Sequence, residues 1–267
     1  MGYTQTCLLV FVTVLMALAL PVLPVELDES LLGELPCGNG GAASRLVKEG
    51  SVKQALSVLR AASRLARDQK RYRDAYHCLV VQGDVSRRFS EQPADEALAP
   101  IFAAARIARE LLLPVPHNLV ATACVASYEL RDAGRPFEAL SILNQARRVI
   151  DAGLVEAQAS REGMAHILTD MCNIQRGLGL LNDALAACSQ SIAFAEQART
   201  DPKKLALFHF NRGKVFSDLK RYMDSAADFS TAASLDGDET DYPVSQAMVL
   251  QSQGDVKGAL QTVMGAW

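Results

Sequence analysis

Apolar and small residues recur along most of the chain in a pattern typical of paired helices. The segment KRYMDSAADFSTAASLD, residues 220–236, places Tyr222, Ser225 and Phe229 at spacings of three and four, which puts them on one helix face. The segment QGDVKGALQTV, residues 253–263, has the same layout 34 residues later. No stretch alternates apolar and polar residues for long enough to predict a strand. The pattern therefore predicts helices throughout.

One small residue marks the same place in every repeating segment. A glycine stands five residues before it in several segments, as Gly50, Gly134 and Gly179 do. Glycine suits a left-handed helix stop, and a small side chain lets two helices approach closely. Each unit is thus predicted to be a helix, a turn and a second helix that begins just before the small residue, and units must stack to bury both faces. The small residues are Ala55, Ala97, Ala139, Ala184, Ser225 and Ala259, at intervals of 42, 42, 45, 41 and 34.

The segment HFNRGKVFSDLKRYMDSAADFSTAASLD, residues 209–236, resembles a tetratricopeptide repeat (TPR). The long upstream intervals are similar to the 42-residue TPRs of kinesin light chain. The resemblance covers about residues 36–267, strongly over 206–236 and weakly over 36–90. It implies an all-α, right-handed superhelical solenoid of about five to six repeats, whose first helices line a concave groove. The positions that carry the resemblance are Gly213, Phe216, Tyr222, Ala226, Phe229 and Ala232; Arg212, Ser225 and Gly237 depart from the family pattern.

Composition and charge narrow the function classes. The chain is 49% hydrophobic but only 6% aromatic, and its net charge of −3 gives no electrostatic case for a nucleic-acid partner. Six cysteines include no CxxC, and the four histidines lie far apart, so neither a metal site nor a cofactor is predicted. The cysteine spacing favours buried small apolar residues over a disulfide framework. No catalytic motif is present, which predicts a protein that is not an enzyme.

The first residues form a separate segment. CLLVFVTVLMALALPVLP, residues 7–24, has an uninterrupted apolar part of about 14 residues, which is short for a bilayer span of roughly 20. Ala17-Leu18-Ala19 supplies a signal-peptide cleavage site, although no Lys or Arg precedes the segment. We expect residues 1–24 to be a signal peptide or membrane anchor, 25–44 a linker, and 45–267 the repeat domain. A cleaved signal predicts the secretory pathway or export; an uncleaved segment predicts membrane attachment.

The resemblance also implies which side chains line the groove. These positions are polar and aromatic with little net charge, so the expected ligand is an extended, largely uncharged peptide. Asn173 and Asn211 match the two asparagines of the TPRs that capture a carboxylate, but Thr169, Asp241 and Ser245 stand where that motif has basic residues, which argues against carboxylate capture. The groove residues implied are Tyr128, Arg131, His166, Thr169, Asn173, Phe210, Asn211 and Lys214.

Three functional interpretations follow from the repeats. The leading one is a non-enzymatic scaffold or adaptor that binds a protein or peptide segment in the groove. The second is a regulatory or accessory repeat arm of an enzyme complex, or a fragment of a longer multidomain protein. The third is a membrane-tethered assembly factor, which depends on the fate of residues 1–24.

Two surface features suggest further contacts. A basic cluster is either a solvated outer face or a docking patch for an acidic partner. An apolar stripe on the last helix predicts self-association or docking on another chain, because a terminal solenoid unit needs a polar cap to stay soluble. The basic cluster is Arg60, Arg64, Arg67, Lys70, Arg71 and Arg73, and the stripe is Ala259, Leu260, Val263, Met264 and Trp267.

Overall fold

A computed structural model describes residues 37–38, 41–89, 93–152 and 157–265, and these residues form twelve α-helices. The helices are α1 Ala42–Lys48, α2 Val52–Asp68, α3 Tyr72–Phe89, α4 Ala94–Leu111, α5 Leu119–Asp132, α6 Pro136–Ala152, α7 Ala157–Gly177, α8 Leu181–Ala198, α9 Pro202–Asp218, α10 Tyr222–Leu235, α11 Asp241–Ser252 and α12 Val256–Gly265.

The helices form six hairpins that stack in chain order. Odd-numbered helices are the first members of the hairpins and even-numbered helices the second, and each helix packs on its neighbours in the chain. Every second helix begins three residues before the small residue of its unit, and those small residues are buried in the first five units. The predicted all-α repeat solenoid is therefore confirmed.

The turns within the hairpins use the left-handed backbone conformation that the glycines predicted. Gly50, Gly134, Gly179 and Gly254 have φ between 75 and 85°, where a side chain would be strained. Lys220 adopts φ 59° at the same place in the fifth hairpin, without glycine. The turn geometry of the repeat is thus kept even where the residue type is unfavourable.

The fifth hairpin shows why small residues are needed at its centre. A Cβ atom on Gly213 would lie 2.6 Å from Cε1 of Phe229, which is itself buried. The Ser225 hydroxyl donates a hydrogen bond of 2.8 Å to the Gly213 carbonyl oxygen. Gly213 and Ser225 therefore bring α9 and α10 close together, and the serine that departs from the family pattern is a satisfied buried donor.

The first helices of successive units are joined by polar contacts that span one repeat. Arg176 Nε donates to Asp218 Oδ2 at 2.6 Å, and Lys204 Nζ donates to Glu162 Oε1 at 2.7 Å, each across 42 residues. We call the side of the solenoid formed by α5, α7, α9 and α11 the first-helix face, and the side formed by the even-numbered helices the second-helix face.

The prediction that the cysteines are only small core residues is wrong. Cys172 and Cys188 are buried, as expected, but they form a disulfide between α7 and α8, with Cα atoms 5.4 Å apart. Cys37 and Cys78 form a second disulfide, with Cα atoms 5.0 Å apart. The partners are 16 and 41 residues apart in sequence, and only the hairpin and the stacking bring them together. Cys124 is free.

The ends of the chain carry predictions that the structure does not reach. The predicted signal or anchor, residues 1–24, and Trp267 lie outside the described residues. Helix α1 begins at Ala42, so the last three residues of the predicted linker 25–44 belong to the helical array. Among the helices described, none combines the length and the apolarity that crossing a bilayer requires.

Candidate functional site

Six side chains on the first-helix face occupy two equivalent positions of three successive units. Tyr128 of α5, Asp170 of α7 and Asn211 of α9 lie 42 and 41 residues apart. A second row, three residues further along each helix, lies on the same side of the helices. We call the two rows together the first-helix patch: Tyr128, Asp170 and Asn211 in one row, and Arg131, Asn173 and Lys214 in the other.

Asp170 ties the first two units of the patch together. The Tyr128 hydroxyl donates a hydrogen bond of 2.5 Å to Asp170 Oδ1, and the Arg131 guanidinium carbon lies 5.0 Å from the centre of the Tyr128 ring. Asp170 is only 6% exposed. Burial raises the pKa of the Asp170 carboxyl, although hydrogen bonds from Cys124 and Tyr128 counteract part of that rise.

Cys124 is the free thiol beside this carboxylate. Burial raises the pKa of the Cys124 thiol, and the charge of Asp170 raises it further. A protonated, buried thiol is a poor nucleophile, since the thiolate is the reactive form. The Cys124 and Asp170 pair is therefore arranged for hydrogen bonding and not for covalent chemistry.

The two asparagines of the patch have amides without a hydrogen-bond partner among the described residues. Asn211 is 3% exposed, and Asn173 is half-buried. Neither amide donates to or accepts from another described residue. A desolvated amide without a partner costs about 1–3 kcal/mol. A ligand that supplied one donor and one acceptor would remove that cost.

Lys214 and Phe210 form the third part of the site. Lys214 Nζ lies 4.5 Å from the centre of the Phe210 ring, a cation–π contact. Phe210 itself packs against Tyr242 and Phe229, with ring centres 4.9 and 5.5 Å away. Burial lowers the pKa of the Lys214 ammonium, and the charge of Arg176 lowers it further. A nearby negative group on a ligand would thus gain from pairing with Lys214.

Two of the residues implied by the TPR resemblance lie elsewhere. Thr169 is 5% exposed, and its hydroxyl contacts Ser191 Oγ of α8 at 2.6 Å and the Ala165 carbonyl oxygen at 2.9 Å. It therefore joins α7 to α8 and has no free hydrogen-bonding capacity for a ligand. The His166 ring stands edge-on to Phe208 at 5.4 Å, and burial together with Lys204 lowers the His166 pKa.

Asp170 is the residue that the sequence interpretation missed. The signal was available, because Asp170 follows Tyr128 by one 42-residue interval, but Thr169 was chosen in its place. Adjacent helical positions differ by about 100° around the axis, so a shift of one residue moves a side chain from the face of the solenoid to the hairpin interior.

Comparison with known proteins supports the fold. No protein-family model and no curated protein matches the sequence. The structure is similar to that of BtubC (BKLC) from P. vanneervenii, with 16% identity over 84% of this chain and 89% of that chain and a TM-score of 0.57. MamA from Desulfovibrio magneticus RS-1 is 15% identical, covering 74% and 92% of the two chains, with a TM-score of 0.48. A tetratricopeptide repeat protein from Parabacteroides merdae is 13% identical, covering 89% and 92%, with a TM-score of 0.33.

These findings define the class of protein. The described chain is a TPR-like helical repeat solenoid, and the likeness to the solved structures concerns the fold alone. Among the residues of the helical array, no group of three or more His, Cys, Asp or Glu side chains is placed to hold a metal ion.

Replacing Asp170 with asparagine is expected to raise the stability at neutral pH by about 1 kcal/mol. Asparagine still accepts the Tyr128 hydrogen bond but carries no buried charge. Because the folded pKa of Asp170 lies above the unfolded value of about 3.9, its contribution to stability falls as the pH rises through that window. Urea denaturation of Asp170→Asn between acidic and neutral pH should show a flatter pH dependence than wild type. Asp183→Asn, at an exposed position of α8, is the control; a destabilised Asp170→Asn would contradict the assignment.

Proposed function

We propose that this protein is a non-enzymatic interaction module that binds an extended protein segment along the first-helix patch. The observation that carries the proposal is the pair of unpartnered amides of Asn173 and Asn211 on consecutive first helices. Each asparagine offers one acceptor and two donors, which match the carbonyl and N–H of a peptide group whatever its side chain is. A peptide backbone therefore satisfies both amides at once.

The length of the patch sets the length of the ligand. Packed helices lie about 8–10 Å apart, so three successive first helices span roughly 20 Å. An extended chain advances about 3.3 Å per residue, and about six residues therefore cover the patch. Arg131, Asp170 and Lys214 alternate in charge along this path, which favours a ligand with little net charge.

The chemistry of the patch supports binding rather than catalysis. Its free thiol, Cys124, has a raised pKa, and its carboxylate, Asp170, already accepts a hydrogen bond from Tyr128. The fold is that of a rigid repeat scaffold, whose affinity for a segment comes from several modest contacts.

The double variant Asn173→Ala, Asn211→Ala is expected to weaken peptide binding about tenfold or more, because two hydrogen-bonding amides are removed. The ligand is a peptide selected from a random phage-displayed library on the full chain, and affinity is measured by fluorescence anisotropy. Asn144→Ala, Asn182→Ala is the matched control on α6 and α8 of the second-helix face. Equal losses in both double variants would contradict the proposal, as would binding that survives the first pair.

The exposed apolar face of α12 supports a second proposal, self-association of the protein. Val256, Leu260 and Met264 are 65, 60 and 69% exposed and lie four residues apart on one helix face. We expect the sedimentation coefficient of the full chain to rise with concentration, and Leu260→Ser, Met264→Ser to abolish that rise. Gln251→Ser, Gln261→Ser, which changes exposed polar positions nearby, is the control. A concentration-independent wild type would contradict self-association.

The two disulfides support a proposed location in an oxidising compartment. Disulfides persist in exported proteins and are rare in reducing ones. Together with the cleavage site predicted at Ala17-Leu18-Ala19, they favour export. N-terminal sequencing of the protein from its native source tests this: a first residue shortly after Ala19 supports export with cleavage, and an intact N-terminus contradicts cleavage.

A further inference from the structure

Arginines recur on the second-helix face at the interval of the repeat. Arg64 of α2, Arg106 of α4 and Arg148 of α6 lie 42 residues apart, each nine residues after the buried alanine of its unit. Arg67 and Arg109 repeat the pattern one helical turn further along. We call these five residues the arginine column. It extends the predicted basic cluster from the first unit into the second and third.

The arginine column is exposed, and its charges are not neutralised within the described residues. All five residues are exposed at the surface. None of them forms an ion pair with another described residue; Arg67 Nε donates to the Ser63 carbonyl oxygen of its own helix. Asp68, Glu110 and Asp151 lie on the same helices but do not pair with the column. Neighbouring units place the arginines about 10 Å apart, over roughly 20 Å in all.

A cavity lies between the second and third units, inside the arginine column. Its volume is about 170 Å³, and it is formed by α4, α6 and the segment that follows α4. Its rim carries Arg106, Arg109 and Arg148. A cavity of about 150 Å³ lined by apolar residues holds a benzene ring, so this one has room for a single large apolar side chain. The apolar wall is formed by Ala105, Ala108, Leu113, Val115, Val149 and Ala152.

We propose that the arginine column binds an acidic peptide segment that inserts one phenylalanine or leucine side chain into this cavity. The carboxylates on either side of the inserted residue pair with Arg106 and Arg148 on the rim and with Arg64 one unit away. Arginine suits this role because its planar guanidinium binds a carboxylate with two parallel hydrogen bonds. This surface lies on helices other than those of the first-helix patch, so the two sites can be tested separately.

The combination of a cavity and a charged rim favours a peptide over other anions. A nucleic acid or a sulfated polysaccharide pairs with arginines through its backbone charge and has no apolar side chain to fill the cavity. An anionic bilayer presents a flat headgroup surface to a protein. An acidic peptide with one apolar anchor satisfies the arginines and the cavity together.

The test uses a fluorescein-labelled peptide in which glutamates flank one phenylalanine on both sides, bound to the full chain at about 0.15 M salt, where distant charges are screened. A second peptide has serine in place of the phenylalanine, and single-stranded DNA of similar charge is the third probe. The phenylalanine peptide is expected to bind about tenfold more tightly than the serine peptide, because burial of the ring in the cavity favours it. Arg106→Glu, Arg148→Glu should weaken its binding about tenfold or more.

The control variant Lys220→Glu, Lys257→Glu makes the same change in net charge at exposed lysines outside the column. Its affinity should stay within about twofold of wild type. Ala152→Trp, at the exposed edge of the cavity, should remove the preference for phenylalanine while leaving the thermal midpoint unchanged. Equal binding of the phenylalanine and serine peptides, DNA binding as tight as that of the phenylalanine peptide, equal losses in the two charge variants, or no peptide binding would each overturn the proposal.

Discussion

Reduction of the two disulfides lowers the free energy of unfolding by several kilocalories per mole. In the chain-entropy model, the Cys172–Cys188 bond closes a loop of 16 residues and contributes about 3 kcal/mol, and the Cys37–Cys78 bond closes one of 41 residues and contributes about 4 kcal/mol. The first bond joins the two helices of the fourth hairpin, and the second joins the segment before α1 to α3. Both therefore hold units of the solenoid together.

Urea denaturation with and without dithiothreitol measures this effect. The wild-type midpoint should fall on reduction, and the variant Cys172→Ala, Cys188→Ala should respond less because only one bond remains to be reduced. Cys124→Ala is the control for loss of a half-buried cysteine that has no disulfide. A midpoint that is insensitive to reduction, in protein whose thiols become reactive on treatment, would contradict the assigned stabilisation.

Replacement of Asp228 with alanine lowers the free energy of unfolding by about 3 kcal/mol. The Asp228 side chain is 6% exposed. It accepts two hydrogen bonds from the Arg212 guanidinium, at 2.7 and 2.8 Å, and lies 2.9 Å from Nδ1 of His209. Its removal leaves a partly buried guanidinium between α9 and α10 without its partner. The cost of an unpaired buried charge exceeds the cost of the lost contact alone.

The control for this prediction is Asp224→Ala, which breaks the exposed pair with Arg221 and should cost less than about 1 kcal/mol. Asp228 also predicts a pH dependence. Burial opposes its ionisation, but the hydrogen bonds from Arg212 and His209 outweigh burial and lower the pKa of the carboxyl. Its stabilisation is therefore present above the unfolded pKa of about 3.9 and is lost as the pH falls below that value. Equal unfolding midpoints for Asp228→Ala and Asp224→Ala would contradict the assignment.

Sequence periodicity predicted the helical framework because two local requirements repeat in every unit. The small residue permits close packing of each hairpin, and the glycine permits the left-handed turn, so both leave a mark at a fixed interval. Ala139 and Gly134 are examples: one is fully buried, and the other has φ 75°. Such signals survive in a single sequence because the backbone geometry itself depends on them.

Contacts between units could be predicted only in part. The 42-residue interval relates Tyr128 to Asp170 and Arg106 to Arg148, so both the missed patch residue and the arginine column were readable once the interval was applied beyond the core positions. The cysteine pairs follow no repeat interval. Cys172 and Cys188 meet because two helices fold back on each other, and a spacing of 16 residues does not indicate by itself whether two buried cysteines face one another.

The central claim, that the first-helix patch binds an extended protein segment, is tested most directly by hydrogen exchange of the full chain with and without the library-selected peptide. The patch predicts slower exchange in α5, α7 and α9, the helices that carry Tyr128, Asn173 and Asn211, with unchanged exchange in α6, α8 and α10. Protection confined to the even-numbered helices, or uniform along the chain, would contradict the account.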